Sequence, residues 1–196
     1  RATKRANRGE TRLPSERWAR SRKFGEEFNV KLRALLVDWL TSQGVAALAP
    51  QLSPHWSMQQ SQRFGLASSW SERHAAHVSG LGTFGLCDGL ITPVGKAMRC
   101  GSVIAHLKLD ATKRPYTSHR AYCPHFTDGS CGACIDRCPV GALSKEGHDK
   151  TLCRDYIDRD TAPYILGKWG LPDTYGCGLC QTKVPCESRI PKEHED

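Results

Sequence analysis

No stretch of this sequence approaches the roughly 18 consecutive apolar residues that mark a membrane-spanning helix, so a helical membrane anchor is excluded. No apolar segment follows Arg1 to act as a secretory signal. There is no repeat of the solenoid kind and no low-complexity tract, so stacked-repeat and purely disordered classes are set aside. The chain opens on Arg1 inside a charged stretch, and we expect it to be a piece of a longer protein.

What is present is an ordinary soluble composition. Charged residues make up 24% and apolar residues 39% of 196 residues, enough for one hydrophobic core and a small appended module. The formal net charge is +8, and Arg1, Lys4, Arg5, Arg8, Arg12, Arg17, Arg20, Arg22 and Lys23 supply much of it. Such a balance suits a polyanion such as RNA. It equally suits a solvated face, which is the expectation here.

Residues 1–20 show no apolar period and read as an irregular lead-in. A helix is expected from about Phe24 to Leu40, because Phe28, Leu32, Leu35, Leu36, Trp39 and Leu40 share one stripe and Gly44 can stop it. Val45–Leu48 reads as a short strand and residues 50–70 as a loop. A short helix capped by Ser71 ends near Gly80, and Gly80 to Gly85 turns tightly. Leu90–Thr92 and a long second strand over Ala97–Leu109 read as a hairpin. Near Asp110 the apolar period fades and cysteine, glycine and turns take over.

Ten cysteines gather mainly toward the C-terminal end. Their spacing is Cys123-x7-Cys131-x2-Cys134-x3-Cys138-Pro139, then Cys153, then Cys177-x2-Cys180-x5-Cys186. A disulfide framework is disfavoured without a secretory signal, so a reducing compartment, the cytoplasm, is expected. Thiolates are soft ligands that suit iron–sulfur clusters. In the ferredoxin run C-x2-C-x2-C-x3-C-P the fourth cysteine serves the other cluster. That crossover divides the eight: Cys123, Cys131, Cys134 and Cys186 for one [4Fe–4S] cluster, Cys138, Cys153, Cys177 and Cys180 for a second. Two four-cysteine zinc sites are the rival reading, but a zinc ribbon has no x3-Cys-Pro ending. Cys87 and Cys100 read as small buried residues. His74 and His77, at i and i+3, could face one side of the short helix as part of a site, or be ordinary partly buried histidines.

The run Ser71-Glu-Arg-His-Ala-Ala-His-Val-Ser-Gly80-Leu-Gly-Thr-Phe-Gly85, then Cys131-Gly-Ala-Cys-Ile-Asp-Arg-Cys-Pro-Val-Gly-Ala142 and Tyr175-Gly-Cys-Gly-Leu-Cys-Gln181, resembles epoxyqueuosine reductases, whose layout the reductive dehalogenases share. The resemblance implies an α+β fold. Residues 1–118 would form part of a nitroreductase-like, corrinoid-reductase-type domain with a basic lead-in. Residues 119–196 would form a ferredoxin-like module with two [4Fe–4S] clusters. It also implies that the clusters feed electrons to a cobalamin, which the backbone at Gly80, Gly82, Thr83 and Gly85 would approach. An electron donor of ferredoxin or flavodoxin type and a tRNA would be the partners. The acidic proton donor that the family carries upstream of its Glu-Arg pair has no counterpart here, where the position is Leu66, so no catalytic residue is assigned.

Three functions follow as candidates. One is an oxidoreductase whose clusters relay electrons to a cobalamin or substrate site. Another is a ferredoxin-type electron-transfer protein without a corrinoid. The third is a cluster protein that binds RNA through its basic segment.

Overall fold

The computed structural model describes residues 1–62 and 65–191. It is mostly short helices, with three two-stranded antiparallel sheets. Among the described residues no helix is long and apolar enough to cross a membrane.

The expected irregular lead-in is instead helical. Helix α1 spans Ala2–Arg8. Its one buried residue is Asn7, so an apolar period could not reveal it. Asn7 Nδ2 donates to Cys177 O at 3.3 Å and Thr182 Oγ1 at 3.2 Å, and its Oδ1 accepts from Ser15 N at 2.9 Å. Two of the basic residues of α1 are also engaged. Lys4 Nζ donates to Glu187 O at 3.1 Å, and Arg8 grips the Glu187 carboxylate through Nε and Nη2 at 2.9 and 2.7 Å. Arg137 reaches back from the cysteine-rich part to Glu10 O at 2.7 Å and Asn7 O at 3.1 Å. The first ten residues therefore lie strapped across the C-terminal cysteine segment.

Helix α2 spans Glu16–Ser42 and starts eight residues before the expected position. Ser15 caps it, its Oγ accepting from Trp18 N at 3.3 Å, and Glu16 suits the positive end of the helix dipole. Gly44, at φ +77, closes it. Ala19 packs in a small core with Ile165 and Leu171. Arg33 is nearly fully buried and pairs with Glu72 at 2.7 Å and Glu26 at 3.2 Å, stapling α2 to the short helix α3, Glu72–Val78. Of the expected apolar stripe only Leu40 is buried; Phe28, Leu32, Leu35, Leu36 and Trp39 face outward.

Strand β1 (Ala47–Leu48) pairs with β6 (Ile104–Ala105), β2 (Met58–Ser61) with β3 (Gly65–Ser68), and β4 (Thr83–Phe84) with β5 (Leu90–Ile91). The residues read as a loop thus hold a hairpin, apart from 63 and 64, which lie outside the described residues. The long strand expected over Ala97–Leu109 does not form. There the chain presses on α2 instead: Asn29 Nδ2 donates to Cys100 O at 3.0 Å, and a Cβ on Gly101 would meet the Arg33 and Asn29 side chains at 2.7 Å. Backbone groups tied to a helix side chain are not free for a ladder.

The cysteine-rich part is built from single helical turns, α4 (Pro124–Thr127) and α5 (Ala133–Asp136), and from a longer pair, α6 (Lys150–Tyr156) and α7 (Ala162–Trp169). Asp149 Oδ1 caps α6 by accepting from Leu152 N at 2.9 Å. A π turn over Ile157–Thr161 joins α6 to α7 just before Pro163, which has no N–H to continue an α ladder. Gly170, at φ +63, ends α7. The main core combines Leu86, Ile91, Leu143 and Val184 with Cys87, Cys123, Cys134 and Cys186.

Candidate metal centre

Two cavities collect the eight cysteines. Cys123, Cys131, Cys134 and Cys186 line a narrow hollow, together with Gly85, Leu86, Val184 and Lys96. Cys138, Cys153, Cys177 and Cys180 line a second, larger cavity of about 420 Å³, which also meets Cys87 and Cys100. Local structure explains how neighbours in sequence part company. Cys131 and Cys134 flank the start of α5, whose single turn brings both to one wall. Cys138 stands two residues past the end of that turn, just before Pro139, and it lines the second cavity. Cys153 is carried by α6. Cys177 and Cys180 bracket Gly178, whose φ of +64 makes the tight turn between them. Cys186 returns to the first hollow on a 3-10 turn, Pro185–Glu187. Among the described residues no three His, Cys, Asp or Glu side chains meet closely enough to hold one ion between them, so the thiols line walls rather than converge on a point.

Cys87 sits between the two groups. It is 7% exposed and lies in one buried cluster with Cys134 of the first group, against which Cys180 of the second packs. Those two S–H donors, with the Lys96 ammonium, hold the Cys87 thiol well below its ordinary range. Donation to Cys87, and then burial, push Cys134 and Cys180 up. Burial pushes Cys177 up to about 11 and raises Cys186 as well. His148 borders the second cavity: its Nδ1 donates to Asp88 Oδ2 at 2.9 Å. The Asp88 carboxylate, and next the Cys153 thiol, raise His148 to about 10.

The glycine turn lies apart from most of this. Gly82 and Thr83 are buried, and a side chain at Gly82 would strike the Ile91 carbonyl. Thr83 Oγ1 accepts from Tyr122 N at 2.9 Å. Gly80, Gly82 and Thr83 line neither cavity, while Gly85 lines the first. The two histidines of α3 are occupied locally. His77 Nδ1 donates to Gly82 O at 2.8 Å and its ring stacks on Tyr116, and His74 shares a hydrogen bond of 2.9 Å with Ser71 Oγ.

Sequence reasoning missed Lys96, His148 and Asp88. None belongs to a spacing pattern, and Lys96 reads in the sequence as one charge just before the strand expected over Ala97–Leu109. It also set Cys87 aside as a small buried residue. Cys87 is buried, and it touches both thiol groups.

Over 116 residues the sequence is 31% identical to a protein of Leadbetterella byssophila named epoxyqueuosine reductase. The match covers 58% of this chain and 36% of that protein, so the chain spans little more than a third of the relative's length. No family model and no solved structure matches the chain.

Proposed function

We propose that this chain is the electron-relay part of an iron–sulfur oxidoreductase, holding two [4Fe–4S] clusters. Cys123, Cys131, Cys134 and Cys186 would ligate one, and Cys138, Cys153, Cys177 and Cys180 the other. The observation that carries the reading is the four-and-four division of thiols between adjacent cavities, with Cys138 parted from Cys134 only three residues after it. The donor set fits the group: four soft thiols each, and no harder ligand required. When bound, the clusters supply one-electron transfer.

The chain's own residues do the rest. The turn at Gly178 and the α5 turn fix where the sulfurs stand. The core around Leu86, Ile91 and Val184 keeps water from the first hollow. Ligand thiols raised by burial must lose their protons on loading, so cluster assembly releases protons and weakens as pH falls. The electron donor in this reading is a low-potential protein of ferredoxin or flavodoxin type. The acceptor is a substrate or cofactor reached through the second cavity, where Arg22, Arg73 and Arg99 supply positive charge.

Gly80, Gly82 and Thr83, the backbone expected to approach a cobalamin, line neither cavity, so no residue is named for a corrin and no electron step is routed through one. With Leu66 on β3 at the position of the family's acid, epoxide reduction is not part of the proposal.

The test is selective loss. Cys134→Ser should remove one cluster and Cys180→Ser the other, each leaving about half of the iron and sulfide. Cys87→Ala should leave the iron count unchanged. Both clusters surviving either ligand change, by iron analysis and electron paramagnetic resonance, would refute the assignment.

A further inference from the structure

Lys96 lines both thiol cavities. It is 4% exposed. Its Nζ lies 3.1 Å from Cys87 Sγ, and Cys87 shares a buried cluster with Cys134, with Cys180 packed against it. Among the described residues no carboxylate stands within ion-pair distance of Lys96. A buried ammonium without a carboxylate is rare, because burial penalises the charge unless an anion balances it.

The position is rigid. Lys96 N donates to the carbonyl of Cys186 at 2.8 Å, and Ala97 N donates to Glu187 O at 3.3 Å. The turn before it is closed by Gly95 N on Thr92 O at 2.8 Å and by Thr92 Oγ1 on Gly95 O at 2.8 Å. Gly95 has φ +84, and a Cβ there would run into the Glu187 backbone. The ammonium is thus delivered to its place by the same segment that carries a candidate ligand.

We propose that Lys96 is a shared positioning charge that raises the reduction potentials of both clusters. The inference rests on the iron–sulfur reading. A [4Fe–4S] core bound by four thiolates carries a net negative charge, and each cluster goes from the 2+ to the 1+ core by gaining one electron from a one-electron donor. A fixed positive charge beside it, screened little by water, favours the form with the extra electron. Because Lys96 borders both cavities, it acts on both couples. It also offsets the repulsion that a second electron meets once the first cluster is reduced.

The experiment is a potentiometric titration of the whole chain, anaerobically reconstituted, with dithionite as reductant and electron paramagnetic resonance as readout. Iron and sulfide are counted first. Lys96→Met should shift both midpoints negative by at least a tenfold change in the reduction equilibrium, about 59 mV for one electron. Lys96→Arg keeps the charge and should stay within about a threefold change of the parent. Midpoints unmoved in Lys96→Met overturn the inference, as does movement of one cluster only. A shift in Lys96→Arg as large as in Lys96→Met overturns it, and so does loss of clusters from both variants, since packing rather than charge would then be at stake. A parent chain that takes up no iron and sulfide refutes the iron–sulfur reading itself, a different outcome from clusters whose potentials ignore Lys96.

Discussion

Replacing Gly178 by alanine tests how the second cysteine pair is held. Gly178 stands between Cys177 and Cys180 at φ +64, and the Trp18 indole of α2 lies directly over it, where a Cβ would be. Two costs follow. A residue with a Cβ in the left-handed region loses about 1–2 kcal/mol, of which about 0.4–1 kcal/mol returns because alanine restricts the unfolded chain. Forcing a methyl into the ring adds about 1–3 kcal/mol of overpacking. The sum is a loss of about 2–4 kcal/mol. Gly170 supplies the control: it has φ +63 and nothing within 4 Å of where its Cβ would stand. Gly170→Ala carries the backbone cost alone, about 1 kcal/mol. The assay is denaturant unfolding followed by tryptophan fluorescence, with midpoints compared at equal slope. A Trp18→Ala background should remove most of the difference between the two glycine variants, because the overpacking then has no ring to meet. Equal losses for Gly178→Ala and Gly170→Ala would refute the contact between α2 and the cysteine turn.

The strap formed by α1 is equally open to measurement. Asn7→Leu leaves the Ser15 N–H and the Cys177 carbonyl without their partner and should cost about 2–4 kcal/mol in the same unfolding assay; an unchanged midpoint means that α1 does not dock. Glu187 is buried, with the Lys183 N–H at 2.7 Å and the Arg8 fork on its carboxylate, so Glu187→Ala should lose about 1–3 kcal/mol. Arg8→Ala should lose less, because the Arg8 side chain is half exposed and its charge is screened by solvent; the reverse order would contradict the geometry.

Parts of this architecture were readable in the sequence and parts were not, for definable reasons. The x3-Cys-Pro ending of a ferredoxin run led to the expectation that Cys138 parts from Cys134, and the two do line different cavities. The cap at Ser71 and the stop at Gly44 were also legible, being local chemistry. Helix α1 was invisible because its buried residue is the amide Asn7, and a hydrophobic period cannot report a face held by hydrogen bonds. The strand expected over 97–109 failed because a tertiary contact, Gly101 against Arg33 and Asn29, competes for the backbone. The hairpin of β2 and β3 was missed because Gln59, Gln60 and Ser61 carry no alternation. Lys96 could not be found by spacing: its meaning comes only from the two cavities that meet at its side chain.

The composition of the core leads to a prediction about the loaded protein as a whole. Four of the eight residues in the main buried cluster are cysteines: Cys87, Cys123, Cys134 and Cys186. Among the described residues no named strand lies beyond Ala105, and the cysteine-rich part is built from short helices and turns. Three of the five residues that the cysteine-rich part gives to this cluster are cysteines, so thiols take core places that hydrocarbon side chains would otherwise fill. Binding to the native state alone stabilises by mass action, about 4 kcal/mol for a site loaded at 1,000 times its dissociation constant. In a chain of this size each kcal/mol moves the unfolding temperature by about 2–4 °C, so stripping one such site should lower it by about 8–16 °C. Calorimetry of the loaded chain before and after anaerobic removal of iron with a chelator reads this directly. Limited proteolysis should cut the stripped chain first between Cys123 and Cys186, where the candidate ligands lie. An unfolding temperature that ignores the loss of iron would show that the thiols are held by the fold alone, and the second half of the chain would then need a source of stability other than its metal.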